Sequence, residues 1–127
     1  MSAIRILHAV GIMNRGGAET LIMNLYRNID SSKIQFDFLV HHPQPAAFDE
    51  EIISRGGRIY YVPYGIRSGH FEYVKALNQF FRSHPEYKIV HSHMNEVSGI
   101  ILRSAKKANV PIRIAHSHTS NPIYSIV

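Results

Sequence analysis

Residues 4–29 read IRILHAVGIMNRGGAETLIMNLYRNI and combine an apolar run, a glycine-containing loop and an amphipathic segment. The run Ile4–Val10 is short, contains β-branched residues and is followed by glycine, which is typical of a buried strand. From Gly17 to Ile29 the apolar residues recur at helical spacing. These residues are Ala18, Leu21, Ile22, Leu25 and Ile29. The segment therefore predicts a strand, a loop and a helix in succession.

The same alternation of strand and helix continues along the chain. Further strands are predicted at residues 35–41, 58–62, 88–91 and 111–115, and further helices at residues 47–55, 71–83 and 96–109. This βαβ pattern predicts an α/β fold with a parallel sheet and helices on both faces. Right-handed crossovers favour a doubly wound, Rossmann-like sheet, for which we expect the strand order 3-2-1-4-5.

Two packing details follow from the same pattern. The helix at residues 71–83 is expected to bury one face, because four apolar residues share a side of it. These are Phe71, Val74, Leu77 and Phe81. Asp37 interrupts the apolar run of the second strand, and we expect it near the edge of that strand.

Composition excludes several classes of function. The 127-residue chain has no cysteine, so it has no disulfide, thiolate zinc site or cysteine nucleophile. Its net charge is +5, and residues 97–127 contribute Arg103, Lys106, Lys107 and Arg113 without any acid. This basic segment indicates either a solvated helix face or an anionic partner such as a sugar phosphate, a lipid pyrophosphate or a membrane surface. No nucleic-acid motif is present, and no nucleic-acid partner is expected.

The sequence contains no membrane-spanning pattern. No stretch approaches the roughly 18 uncharged apolar residues that a transmembrane helix needs. The start of the chain also lacks the pattern of a signal peptide. We therefore expect a cytoplasmic protein, with contact to the inner face of the membrane as an additional expectation.

Three unusual segments follow strands one, four and five of the predicted sheet, where ligands bind in open α/β proteins. They are Gly11–Gly17, His91–His93 and His116–Ser120. In the first segment, Gly16 and Gly17 at a helix N-terminus would let an anion approach backbone N–H groups, and Arg15 would add a phosphate contact. The alternative is a tight turn that simply needs glycine. The segment matches neither the dinucleotide nor the P-loop motif.

The two His-x-His pairs admit several interpretations. Residues i and i+2 of a strand share a face, so His91 with His93 and His116 with His118 have the spacing of metal ligands. No acidic residue accompanies either pair, and we predict no metal. The alternative is that some of these histidines are packing residues whose ring nitrogens are hydrogen-bonded. His93 and His118 lie furthest out along their strands, where imidazole serves as a general acid, a general base or a hydroxyl partner.

Together, these motifs resemble those of family-four glycosyltransferases of the GT-B architecture. The first strand followed by residues 14–19 looks like the opening of the family. His91-Ser92-His93 is similar to its strand ending in His-x-His, and residues 115–119 are similar to its strand closing in His-Thr or His-Ser. The tighter resemblance is to bacterial enzymes of capsular and extracellular polysaccharide assembly.

The resemblance implies retaining transfer of a sugar from a nucleotide-sugar to a polysaccharide or lipid-linked acceptor, without a metal or cofactor. It implies that residues 1–127 are a truncated N-terminal, acceptor-side domain that lacks its C-terminal nucleotide-sugar domain and is inactive alone. His118 matches the histidine that contacts the donor sugar and supports catalysis. The substrate-binding residues expected on the same basis are Asn14, Arg15, Gly16, Gly17, His93 and Thr119.

Two other classes of function compete with the transferase. One is a non-catalytic, Rossmann-like or flavodoxin-like module that binds a phosphate ligand. A receiver domain would have acidic residues at the end of strand one. A flavin-binding module would have a Ser/Thr-rich phosphate loop after strand one. The sequence has neither feature. The other is a histidine–metal hydrolase, which would bind stoichiometric zinc and lose it when His93 or His118 is mutated.

Overall fold

The computed structural model describes residues 2–64 and 69–117. The strands are β1 (Ile4–Val10), β2 (Ile34–Val40), β3 (Ile59–Tyr61), β4 (Ile89–Ser92) and β5 (Ile112–Ala115). The helices are α1 (Gly17–Asn28), α2 (Asp49–Ser54), α3 (Gly69–Ser83) and α4 (Ser98–Lys107), and a 3₁₀ turn at Asn95–Val97 precedes α4. All strand pairs are parallel, in the order β3-β2-β1-β4-β5. The predicted fold class and strand order are confirmed.

The sheet separates two hydrophobic layers, because successive side chains of β1 point to opposite faces. Leu7 and Ala9 pack in the layer that contains α3 and α4. Val10 packs in the layer that contains α1 and α2, and His8 lies on the same face against Phe36 and Phe38. Helices therefore cover both faces, as a doubly wound sheet requires.

Element boundaries differ modestly from the prediction. The second helix covers Asp49–Ser54 instead of residues 47–55. The fourth helix was predicted at residues 96–109, but a 3₁₀ turn forms its first part and α4 ends at Lys107. Gly56, at φ +92°, follows α2 in the left-handed region that glycine adopts at low cost.

The predicted buried faces of α1 and α3 are partly wrong. Leu21 and Leu25 are 45% and 51% exposed, and Phe71 is 87% exposed. Arg27 donates to both carboxylate oxygens of Glu51 on α2, at 2.7 and 2.6 Å, and this pair lies on the side of α1 away from Leu21 and Leu25. These leucines therefore lie on the exposed side of α1, opposite the Arg27–Glu51 pair.

The expectation that Asp37 lies near a strand edge is also wrong. β2 lies between β1 and β3, and Asp37 is fully buried. Its carboxylate accepts hydrogen bonds from Arg5 Nη1 at 2.7 Å, the Arg58 backbone N–H at 2.9 Å and the Tyr87 hydroxyl at 2.5 Å. Three donors replace the water that the carboxylate loses on burial, which is why the sheet interior accepts it.

No helix among residues 2–64 and 69–117 is long and apolar enough to cross a membrane.

Candidate functional site

The candidate site lies at the carboxyl edge of the sheet, between β1 and β4. From β1 the chain proceeds to β2 on one side, and from β4 it proceeds to β5 on the other, so the strand order reverses here. The segments beyond the strands stay hydrogen-bonded to their neighbours: His93 N–H donates to Ala9 C=O and His116 N–H to Ser92 C=O, each at 2.9 Å. The loop after β1 and the segments after β4 and β5 therefore lie at the same edge of the sheet, and their convergence on one crevice stays a prediction.

The two glycines at the start of α1, Gly16 and Gly17, differ in what an added Cβ would contact. Neither has a positive φ, so the turn does not require glycine for its backbone conformation. A Cβ on Gly16 would collide with the carboxylate of Glu19. A Cβ on Gly17 would have nothing of the described residues within 4 Å beyond its own helical turn. That carboxylate is the far end of a flexible side chain and can move aside, so the contact alone does not require glycine at position 16. Gly17 leaves the first turn of α1 open to a ligand.

Asn14 has an anchoring role in the loop before α1. Its Oδ1 accepts a hydrogen bond from the Ala47 backbone N–H at 2.9 Å, and the adjacent Met13 C=O accepts one from Phe48 N–H at 3.0 Å. These bonds tie the loop after β1 to the segment before α2. Arg15 is exposed in the same loop, beside the helix N-terminus. Contact of either side chain with substrate stays a prediction.

Four histidines meet on the α1 face of the sheet and form what we call the imidazole cluster: His8, His91, His93 and His116. His8 on β1 is in register with His91 on β4, and the His91 and His93 rings stack with centroids 4.1 Å apart. His8 Nδ1 lies 3.0 Å from His93 Nε2, and His91 Nε2 lies 3.3 Å from His116 Nδ1. The cluster therefore consists of two hydrogen-bonded imidazole pairs, joined by the stacked rings of His91 and His93.

His8 is the innermost member of the cluster. It is 3% exposed, with ring centroids 4.2 Å from Phe36 and 5.6 Å from Phe38. Burial, reinforced by the neighbouring His93 and His91, holds the pKa of His8 well below its usual value. His8 is therefore neutral at pH 7, so that one of its ring nitrogens is a donor and the other is an acceptor.

Sequence reasoning missed His8 because it lies inside an apolar strand. The signal that could have identified it is its register with the His-x-His of β4, which becomes visible only when the strand pairing is known.

The structure brings His93 to the crevice with His91 and His116. His118 and Thr119, expected as the catalytic residue and a substrate contact, lie outside the described residues. His41, at the end of the second predicted strand, is buried, with Nδ1 2.8 Å from Val10 C=O and Nε2 2.9 Å from the Tyr73 hydroxyl.

The imidazole cluster has the donor atoms for a transition metal but not the ring orientation. Nitrogens of His8, His91 and His93 all lie within 4.8 Å of one another, and imidazole is a zinc ligand. A bound ion lies in the plane of each ligating ring, however, whereas the His91 and His93 rings are stacked with their planes 24° apart. Metal binding would require at least one of these rings to turn.

The strand order and the helices define a doubly wound α/β protein, a class whose ligands bind at the topological switch point. In comparisons with known protein families, residues 15–126 match Glycosyltransferase Family 4. The chain belongs to this family, and the resemblance noted from its sequence is confirmed.

Two curated relatives are similar to nearly the whole chain. The chain is 44% identical over 117 residues to the putative glycosyltransferase EpsF of Bacillus subtilis (strain 168), covering 92% of this chain and 30% of that protein. It is 31% identical over 117 residues to the capsular polysaccharide biosynthesis glycosyltransferase CapH of Staphylococcus aureus, covering 92% of this chain and 31% of CapH. The chain thus spans under a third of the length of either relative. No solved structure is significantly similar to it.

Proposed function

We propose that residues 1–127 form the N-terminal, acceptor-side part of a retaining bacterial glycosyltransferase of capsule or exopolysaccharide assembly. The enzyme transfers a sugar from a nucleotide-sugar to a polysaccharide or lipid-linked acceptor. The observation that carries this proposal is that the open first turn of α1, which follows β1, lies at the same edge of the sheet as His93 and His116, which follow β4 and β5. The similarity to EpsF and CapH, both described as glycosyltransferases, supports the reaction class.

In this proposal the first turn of α1 binds the diphosphate of the nucleotide-sugar. Backbone N–H groups at a helix N-terminus bind anions, and the helix dipole adds to the attraction. The space around Gly17 admits a phosphate to these groups, and the Arg15 guanidinium adds a charge-assisted contact from the same loop. Asn14 holds the loop in place through Ala47.

The histidines serve the sugars. His93, at the end of β4, hydrogen-bonds an oxygen of the substrate. His118 follows His116 by two residues, and we assign to it the contact with the donor sugar that supports transfer, with Thr119 beside it. A C-terminal domain beyond these residues holds the nucleotide, so the chain alone binds acceptor weakly and transfers nothing. No metal or cofactor takes part in the proposed transfer.

The α3–α4 face provides a second contact in the proposal. A groove of about 220 Å³ between these helices is lined by His70, Val74, Asn78, Ile100, Arg103, Ser104 and Lys107. An adjoining cavity of about 250 Å³ is lined in addition by Arg82 of α3. The exposed Phe71 also lies on α3. The three cations that line these two cavities, Arg82, Arg103 and Lys107, suit an anionic membrane surface. We therefore place the enzyme in the cytoplasm, at the inner face of the membrane that presents a lipid-linked acceptor.

Product analysis with the full-length protein tests this function. The purified protein is incubated with a panel of nucleotide-sugars and lipid-linked acceptors, and the anomeric configuration of the product is read by proton NMR. We expect transfer with the configuration of the donor retained. An inverted product contradicts the retaining mechanism, and binding without transfer across the whole panel favours the non-catalytic phosphate-binding module.

A further inference from the structure

His8 and His93 form a side-chain pair that the proposed chemistry does not explain. His8 Nδ1 faces His93 Nε2 at 3.0 Å, across the neighbouring strands β1 and β4. The burial of His8 against Phe36 and Phe38 leaves its ring little freedom to turn. A rigid, neutral imidazole therefore supports the more exposed imidazole of the crevice.

The other nitrogen of His8 indicates which way the hydrogen bond runs. His8 Nε2 is buried and has no hydrogen-bond partner among the described residues. A buried N–H without an acceptor is rarer in proteins than an acceptor without a donor. The arrangement with fewer unsatisfied donors has the His8 proton on Nδ1, so that Nε2 carries only a lone pair.

We propose that His8 is a positioning residue that donates its Nδ1–H to His93 Nε2 and holds His93 as the neutral tautomer protonated on Nδ1. Since its Nε2 accepts from His8, His93 presents an N–H donor at its other nitrogen. His93 then recognises a substrate oxygen that accepts a hydrogen bond, such as a sugar hydroxyl or phosphate oxygen, and does not act as a general base. The substrate contact of His93 rests on the proposed function, whereas the tautomer does not.

Two substitutions separate the hydrogen bond from the packing. His8→Phe keeps a ring against Phe36 and Phe38, removes the donor and also removes the unsatisfied Nε2. It is therefore expected to fold with an unchanged or higher melting temperature. His8→Asn restores a donor, because the Asn Nδ2 is bonded to Cγ as the His Nδ1 is.

The direct test is NMR of the full-length protein labelled with ¹⁵N only at histidine, with the His93 signals identified by their loss in His93→Gln. We expect the wild-type His93 to be protonated on Nδ1 and bare on Nε2. This preference is expected to be lost in His8→Phe and restored in His8→Asn. A wild-type His93 protonated on Nε2, or one whose tautomer is unchanged in His8→Phe, overturns the proposal.

Kinetics distinguish the positioning role from the substrate contact. Loss of one positioned hydrogen bond is expected to raise the KM for the bound substrate about three- to tenfold with little change in kcat, in both His8→Phe and His93→Gln, while His8→Asn stays near wild type. An unchanged KM in His93→Gln contradicts the proposed substrate contact and leaves the tautomer assignment standing. A raised KM in His93→Gln without one in His8→Phe shows that His8 does not position His93.

Discussion

Replacing Asp37 by alanine should destabilise the domain more than any other single carboxylate change in the described residues. The substitution removes the acceptor for Arg5, for the Arg58 N–H and for the Tyr87 hydroxyl. The Arg5 side chain is 22% exposed, so its charge is left largely buried without a counter-ion.

The expected magnitude follows from these contacts. Breaking a buried ion pair by removing one partner costs about 3–5 kcal/mol, because the remaining charge stays desolvated. Domains of this size have unfolding free energies of about 5–15 kcal/mol, so the loss is a large fraction of the total. With a urea m-value of about 2 kcal/mol/M, the unfolding midpoint should fall by about 1.5–2.5 M.

Urea unfolding of the 127-residue chain, followed by far-UV circular dichroism, measures this change. Glu72→Ala, at an exposed acid on α3, is the matched control and should leave the midpoint near wild type. Adding Arg5→Met to Asp37→Ala should recover part of the loss, because the unpaired charge is removed as well. A midpoint shift for Asp37→Ala no larger than that of Glu72→Ala would refute this interpretation of the buried network.

Three further predictions concern the crevice, the pH dependence and the basic groove. Gly17→Val should fold normally but weaken nucleotide-sugar binding by calorimetry about tenfold or more, whereas Gly99→Val, also in open space, should not. Burial lowers the pKa of His8 and His41, so the unfolded chain takes up protons first. Stability should therefore be fully present above about pH 6.5 and decline as the pH falls, less steeply in His8→Phe, in urea titrations at several pH values. The double variant Arg103→Gln with Lys107→Gln should bind phosphatidylglycerol vesicles with an affinity about 30-fold lower, at about 1 kcal/mol per charge, as measured by co-sedimentation. Neutralising Lys33 and Lys88 should have little effect on this affinity.

The order of the elements was predictable because it depends on local pattern. Short apolar runs with β-branched residues alternate with segments of helical period, and right-handed crossovers leave few topologies for such a chain. The location of the candidate site was predictable for the same reason: strand order alone places the glycine loop at the same edge of the sheet as the histidines that follow β4 and β5.

The environments of individual side chains were not predictable from the local pattern. Leu21, Leu25 and Phe71 have the spacing of buried residues, but burial depends on how a helix is turned against its neighbours, which for α1 involves the Arg27–Glu51 pair. Asp37 looked out of place in a strand because its partners are 32 and 50 residues away along the chain. Such contacts become visible only once the strands are paired.

Turnover of the full-length protein carrying His118→Ala bears most closely on the proposed function. The proposal predicts that kcat for sugar transfer falls about a hundredfold or more, because a group acting at the reacting centre is lost. His42→Ala, at an exposed histidine after β2, is the matched control and should retain wild-type turnover. Near-normal turnover of His118→Ala would contradict the assignment of the transfer site to this crevice.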